Sequence, residues 1–132
     1  MKKVAILAVD DEKIILDSIK AQIEKNFKHD FLFDYAEDPQ EALEVVDELM
    51  FEGIDLLLVI SDYMMPGMNG EEFAKVLKTK LPRVNILLLT GHISAEKGIE
   101  LMEKNTVLKI MHKPWKEENL IDFIKKLELD VN

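Results

Sequence analysis

A chain of 132 residues is long enough for about one domain with a buried core. Its net charge of −9 argues against nucleic acid as a direct partner, because phosphate backbones are held by clusters of Lys and Arg. The absence of cysteine excludes a disulfide framework, a thiolate metal site and a cysteine nucleophile.

The opening Met1-Lys2-Lys3 looks faintly like the start of a signal peptide. The apolar run behind it, Val4–Val9, is interrupted by Asp10-Asp11 too early for a signal-peptide core. No apolar run approaches bilayer length, so a cytoplasmic chain with no membrane partner is expected. Val4–Val9 reads instead as a strand buried on both faces. Ile14 to Lys25 carries Ile15, Leu16, Ile19 and Ile23 at helical spacing. Phe31–Ala36 is a weaker strand, expected near a sheet edge. Asp38-Pro39-Gln40-Glu41 starts a helix, with an N-cap Asp, Pro at N1 and an acid at N3. That helix is expected to bury Ala42, Leu43, Val46, Leu49 and Met50 and to end at Gly53.

Leu56–Ser61 is the most apolar segment and the third strand. Asp62 to Gly70 is a loop, marked by Pro-Gly and Asn-Gly pairs. Glu71 to Leu81 is a helix with Phe73, Val76 and Leu77 inward, and Ile86–Leu89 is the fourth strand, ending at Thr90-Gly91. Ser94 to Lys104 is a short helix with a thin stripe, expected at Ala95, Ile99 and Met102. Val107–Met111 is the fifth strand, ending near Lys113-Pro114. The last helix carries Leu120, Phe123, Ile124 and Leu127 at helical spacing.

Strict alternation of strands and helices implies an α/β fold, a five-stranded parallel sheet with helices on both faces. Strand order 2-1-3-4-5 is expected, the flavodoxin-like arrangement. No repeat, low-complexity segment or linker interrupts residues 1–132, which read as a single domain. In such sheets ligands bind beyond the carboxyl ends of the strands. Asp10, Asp11, Asp62, Thr90 and Lys113 all fall at those ends. Alone, Asp11 suits a helix cap, Asp62 a loop acid, Thr90 a strand end and Lys113 a solvated charge. Together they gather three carboxylates, a hydroxyl and an ammonium in one crevice. Two carboxylates about 5 Å apart repel by roughly 3 kcal/mol at an effective dielectric near 20. A hard dication such as Mg²⁺ relieves that repulsion. Asp62 is then placed to become an acyl phosphate, with Thr90 and Lys113 on its oxygens.

The acidic pair in VDDE, the SDYMMPGMNG segment, the LLLTG strand end and HKPW resemble the receiver domain of two-component response regulators over essentially the whole chain. The resemblance implies that Asp62 accepts a phosphoryl group from a phosphohistidine on a histidine kinase or histidine phosphotransfer protein. It implies signalling to a downstream protein or output domain, not turnover as an enzyme. It implies a Mg²⁺ site formed by Asp11, Asp62 and the backbone carbonyl of Met64, with Asp10 acting mainly through water. Thr90 would swing toward the phosphoryl group, Lys113 would contact it, and the Lys113–Pro114 bond would be cis.

The chain departs from the family pattern at Ile110, where an aromatic residue usually follows the threonine's movement. It also departs at Asn105-Thr106 and at Trp115. Met64 and His92, each two residues past a signature position, are expected to flank the route of an attacking water. His29, His92 and His112 are too scattered to form a metal site.

Two other functions fit parts of the pattern. A haloacid-dehalogenase-type phosphatase also uses an Asp nucleophile with Mg²⁺. It carries a second Asp two residues on, where this chain has Met64, and its nucleophile follows the first strand. A receiver-like scaffold that is never phosphorylated is the third reading, disfavoured by the complete acidic set.

Overall fold

Side chains along the central strands alternate between two faces, so the sheet needs cover on both sides. In the computed structural model, which describes residues 3–28 and 30–131, helices supply that cover. The opening Met1-Lys2 and His29 lie outside the described residues. The elements run β1 (Val4–Val9), α1 (Lys13–Phe27), β2 (Leu32–Ala36), α2 (Pro39–Phe51), β3 (Asp55–Ser61), α3 (Gly70–Lys80), β4 (Ile86–Thr90), α4 (Ala95–Glu103), β5 (Lys109–His112) and α5 (Glu117–Val131). All neighbouring strands are parallel, in the order β2-β1-β3-β4-β5, as expected from the alternation.

One face of the sheet, with Ile6, Ala8, Leu58, Ile60, Leu87 and Leu89, packs against α1 and α5. The other, with Leu7, Val9, Val59, Ile86 and Leu88, packs against α2, α3 and α4. Local chemistry sets the helix starts. Asp38 accepts from the Glu41 amide at 2.8 Å, with Pro39 at the first helical position. Asn69 and Glu72 form a reciprocal capping box on α3. Ser94 caps α4 through the Lys97 amide.

Three expectations need correction. Met50 faces outward at 46% exposure, and α2 instead buries Ala42, Val46 and Leu49. On α4 the buried residues are Gly98 and Leu101, while Ala95, Ile99 and Met102 are exposed. Gly98 carries no hydropathy signal, yet its missing side chain lets α4 approach β5: a Cβ there would stand 3.2 Å from Ile110 Cδ1. Finally, β5 begins at Lys109, two residues later than Val107–Met111 implies, because Val107 is buried ahead of the strand as part of the turn out of α4.

Candidate functional site

The strand ladders continue one residue past β1 and β3 and thereby aim the acids. Val9, Ala36 and Ser61 end level across three strands. Beyond them the Asp10 amide donates to the Ala36 carbonyl at 3.2 Å, and the Asp62 amide to the Val9 carbonyl at 3.1 Å. Backbone hydrogen bonds therefore fix Asp10 and Asp62 side by side, where the order of strands reverses. One oxygen from each of Asp10, Asp11 and Asp62 falls within 4.8 Å of the others.

Asp10 and Asp62 are buried and Asp11 is exposed, so the cluster opens to solvent on one side. Asp11 does not cap the first helix. Glu12 holds that position without a side-chain bond, and the Glu12 amide donates to Asp10 Oδ1 at 2.9 Å. Asp62 Oδ1 accepts from the Tyr63 amide at 2.7 Å and from the Met64 amide at 3.4 Å.

Lys113 reaches in from the end of β5 and bridges the two buried acids. Its Nζ lies 2.6 Å from Asp10 Oδ2 and 3.0 Å from Asp62 Oδ2. Glu12 stands on the rim at 3.6 Å. Burial pushes the Asp10 carboxyl above the usual carboxylate range, against the pull of Lys113. Burial also works against the Lys113 ammonium, but its bonds to Asp10 and Asp62 prevail and hold it above the ordinary lysine value. The Lys113–Pro114 bond is cis, as expected.

Thr90 is the last residue of β4, fully buried, and its carbonyl accepts from the Lys113 amide at 3.1 Å. Its hydroxyl accepts from the His92 amide at 3.2 Å. Met64 lies on the loop above Asp62 at 54% exposure.

Two supports were not legible in the spacing of the motifs. The direct Asp10–Lys113 ion pair joins residues 103 apart in sequence. The other is Gly70, whose amide donates to the Tyr63 carbonyl at 2.7 Å. A Cβ at Gly70 would stand 2.7 Å from the Asp62 carbonyl oxygen and 2.8 Å from Tyr63 Cα, both backbone atoms. Gly70→Ala is therefore expected to displace the Asp62 loop and cost about 1–3 kcal/mol. Denaturant unfolding checks this, and an unchanged midpoint would show that the loop gives way freely.

A donor set of clustered carboxylate oxygens suits a hard cation such as Mg²⁺ and offers nothing to a soft one. Mg²⁺ keeps several waters, and the solvent-open side formed by Asp11 leaves room for them.

Residues 6–125 match the response regulator receiver domain family. The chain is 32% identical over 122 residues to the uncharacterized transcriptional regulatory protein YesN of Bacillus subtilis, covering 92% of this chain and 32% of that protein. It spans between 24% and 32% of the length of three curated regulators that it matches. Among solved structures it resembles the chemotaxis response regulator CheY4 of Vibrio cholerae, with a TM-score of 0.76, 26% identity, and 96% and 99% of the two chains covered. A CheY-like receiver domain protein from Methanospirillum hungatei aligns with a TM-score of 0.79, 26% identity, and 97% and 95% covered.

Proposed function

The chain belongs to the response regulator receiver domain family, and we propose that within it Asp62 is the phosphoacceptor. The family makes it a phosphoacceptor signalling module rather than a catalytic enzyme. Residues 1–132 then act as one receiver domain, working in the cytoplasm. The observation that carries the assignment is the convergence of Asp10, Asp11 and Asp62 with Lys113 between the two buried acids. The same assignment displaces the phosphatase alternative.

An unprotonated Asp62 oxygen attacks the phosphorus of a phosphohistidine. The new O–P bond forms as the N–P bond breaks, and the electron pair leaves with the imidazole of the histidine kinase or phosphotransfer protein. Asp11 and Asp62 would hold Mg²⁺, with the backbone carbonyl of Met64, and Asp10 would assist. Bound there, Mg²⁺ would supply the positive charge that lets an anionic donor approach three carboxylates. Lys113 follows the transferred group and pairs with one of its oxygens. Thr90 gives up its bond from His92 and donates its hydroxyl to another.

Phosphoryl transfer makes little demand on covalent chemistry, so positioned charge of this kind supplies most of the help. Output is a population shift in the Thr90 loop, α4 and β5, read by a downstream protein or output domain.

Met64 tunes lifetime, because an apolar side chain beside the acceptor orders no water for hydrolysis. Met64→Asn is expected to speed loss of the phosphoryl group several-fold, and an unchanged dephosphorylation rate would remove Met64 from this role.

The test of the assignment is incubation with Mg²⁺ and acetyl phosphate, followed by intact mass. One phosphoryl group is expected, labile to hydroxylamine. Steady release of phosphate from p-nitrophenyl phosphate, with no modified chain, would favour the phosphatase instead.

A further inference from the structure

The usual aromatic lever between the threonine and the last strand is absent here. Ile110 takes its place and packs beneath Gly98 of α4. Ile110 is partly buried and aliphatic, so other contacts between α4 and the phosphoacceptor loop gain importance. The apolar grip on α4 is thin: nine residues long, it buries Gly98 and Leu101.

A polar joint stands beside that grip. Lys97, in the first turn of α4, reaches across to Glu71 of α3, with Nζ 3.1 Å from Oε1. The Glu71 side chain is only 18% exposed and is also held by Lys75 at 3.2 Å. Those two lysines keep its carboxyl below the usual range. Glu71 directly follows Gly70, the residue wedged against the backbone of Asp62 and Tyr63. The joint thus runs from the acceptor loop, through the first turn of α3, to the first turn of α4. On the far side, the short connection from β4 to α4 is held locally, by the bond from the His92 amide to Thr90 at one end and the Ser94 cap on α4 at the other.

We propose that the Glu71–Lys97 ion pair is a latch holding α4 in its unphosphorylated position, and that its strength sets how readily the Asp62 pocket accepts a phosphoryl group. The proposal rests on the receiver reading above. If a phosphoryl group at Asp62 biases α4 through Thr90, linkage requires that the position of α4 bias the affinity of Asp62 for that group. Opening the latch removes a constraint present in one of the two states, so the other becomes more populated.

An ion pair at this exposure corresponds to a population shift of about two- to fivefold. The test uses Glu71→Gln and Lys97→Gln, with Lys80→Gln as the control. Lys80, at the other end of α3, pairs with Asp47 of α2 at 2.9 Å, so its substitution removes an ion pair between helices without altering Lys97 or Glu71. Two quantities are measured. One is amide hydrogen exchange over residues 95–103 of the protein alone, and the other is the affinity for beryllofluoride with Mg²⁺ by calorimetry.

Both latch variants are expected to accelerate exchange in α4 and to tighten beryllofluoride about two- to fivefold. The double variant should do no more than either single one. Lys80→Gln should leave the affinity unchanged. The two latch substitutions change net charge in opposite directions, so a shared direction of effect excludes simple attraction or repulsion of the anion. Opposite effects, unchanged affinity, or an equal effect from Lys80→Gln would overturn the latch. Failure of the receiver reading looks different: the unaltered protein would bind no beryllofluoride at all, while the exchange of α4 would still respond.

Discussion

Replacing Lys113 with Met is expected to lower the melting temperature by roughly 10 °C in the absence of metal, and the deficit should shrink when Mg²⁺ is added. The Lys113 ammonium bridges Asp10 at 2.6 Å and Asp62 at 3.0 Å, and its side chain is 15% exposed. Removing it leaves two buried carboxylates facing each other with Asp11 beside them. Breaking a buried pair from one side costs about 3–5 kcal/mol, because the remaining charge is stranded. The open side of this pocket lets water offset part of that cost.

A dication in the same crevice restores the missing charge, so Mg²⁺ should raise the melting temperature more in the variant than in the unaltered protein. Folding holds the Lys113 pKa above its unfolded value. The advantage of the unaltered protein is therefore fully present below the ordinary lysine pKa, and it is lost only as pH rises through the raised value. The same substitution is expected to slow phosphorylation by acetyl phosphate about 100-fold, the scale for losing one preorganised donor to a developing anion. Thermal melts with and without Mg²⁺ check the first effect. An equal deficit under both conditions would mean that Lys113 contributes by packing and not by charge.

Asp62→Asn should move stability the other way. Without metal it is expected to raise the melting temperature by a few degrees, for a reason that magnitudes decide. At an effective dielectric near 20, the Asp62 charge is repelled by Asp10 by roughly 3 kcal/mol, repelled less by the exposed Asp11, and attracted to Lys113 by roughly 5.5 kcal/mol. These opposing interactions nearly cancel, so the burial of Asp62 at 7% exposure decides the sign through a desolvation cost that the amide does not carry. Lys113 keeps its shorter bond to Asp10 in either case.

Added Mg²⁺ should reverse the ranking, because the unaltered protein offers the dication one more carboxylate. Melts in EDTA and in Mg²⁺ measure both arms. A lower melting temperature for the variant in EDTA would mean that the Lys113 bond outweighs the crowding of the acids.

The positions of the site residues were legible because strand ends carry them. A continuous apolar run followed by acids, such as Val4–Val9 before Asp10-Asp11, states both a buried parallel strand and its functional edge. Parallel register does the rest: Asp10 and Asp62 hang from adjacent ladders, so their approach follows from topology.

What escaped the sequence depends on the absence of side chains or on pairs far apart. Gly98 and Gly70 matter through the space they leave, which no hydropathy pattern records, and so the inward face of α4 was misplaced onto Ala95, Ile99 and Met102. The ion pairs Asp10–Lys113 and Glu71–Lys97 join elements whose relative depth only packing defines. A chain with 33% charged residues offers too many possible partners for charge alone to select them.

The most direct test is to locate the phosphoryl group itself. The protein is phosphorylated with acetyl phosphate and Mg²⁺, trapped by borohydride reduction of the acyl phosphate to homoserine, and digested for peptide mass spectrometry. Homoserine in place of the aspartate at position 62, and at no other acid, is the result this account predicts. Homoserine at Asp10 or Asp11, or a modified chain with position 62 intact, would contradict it.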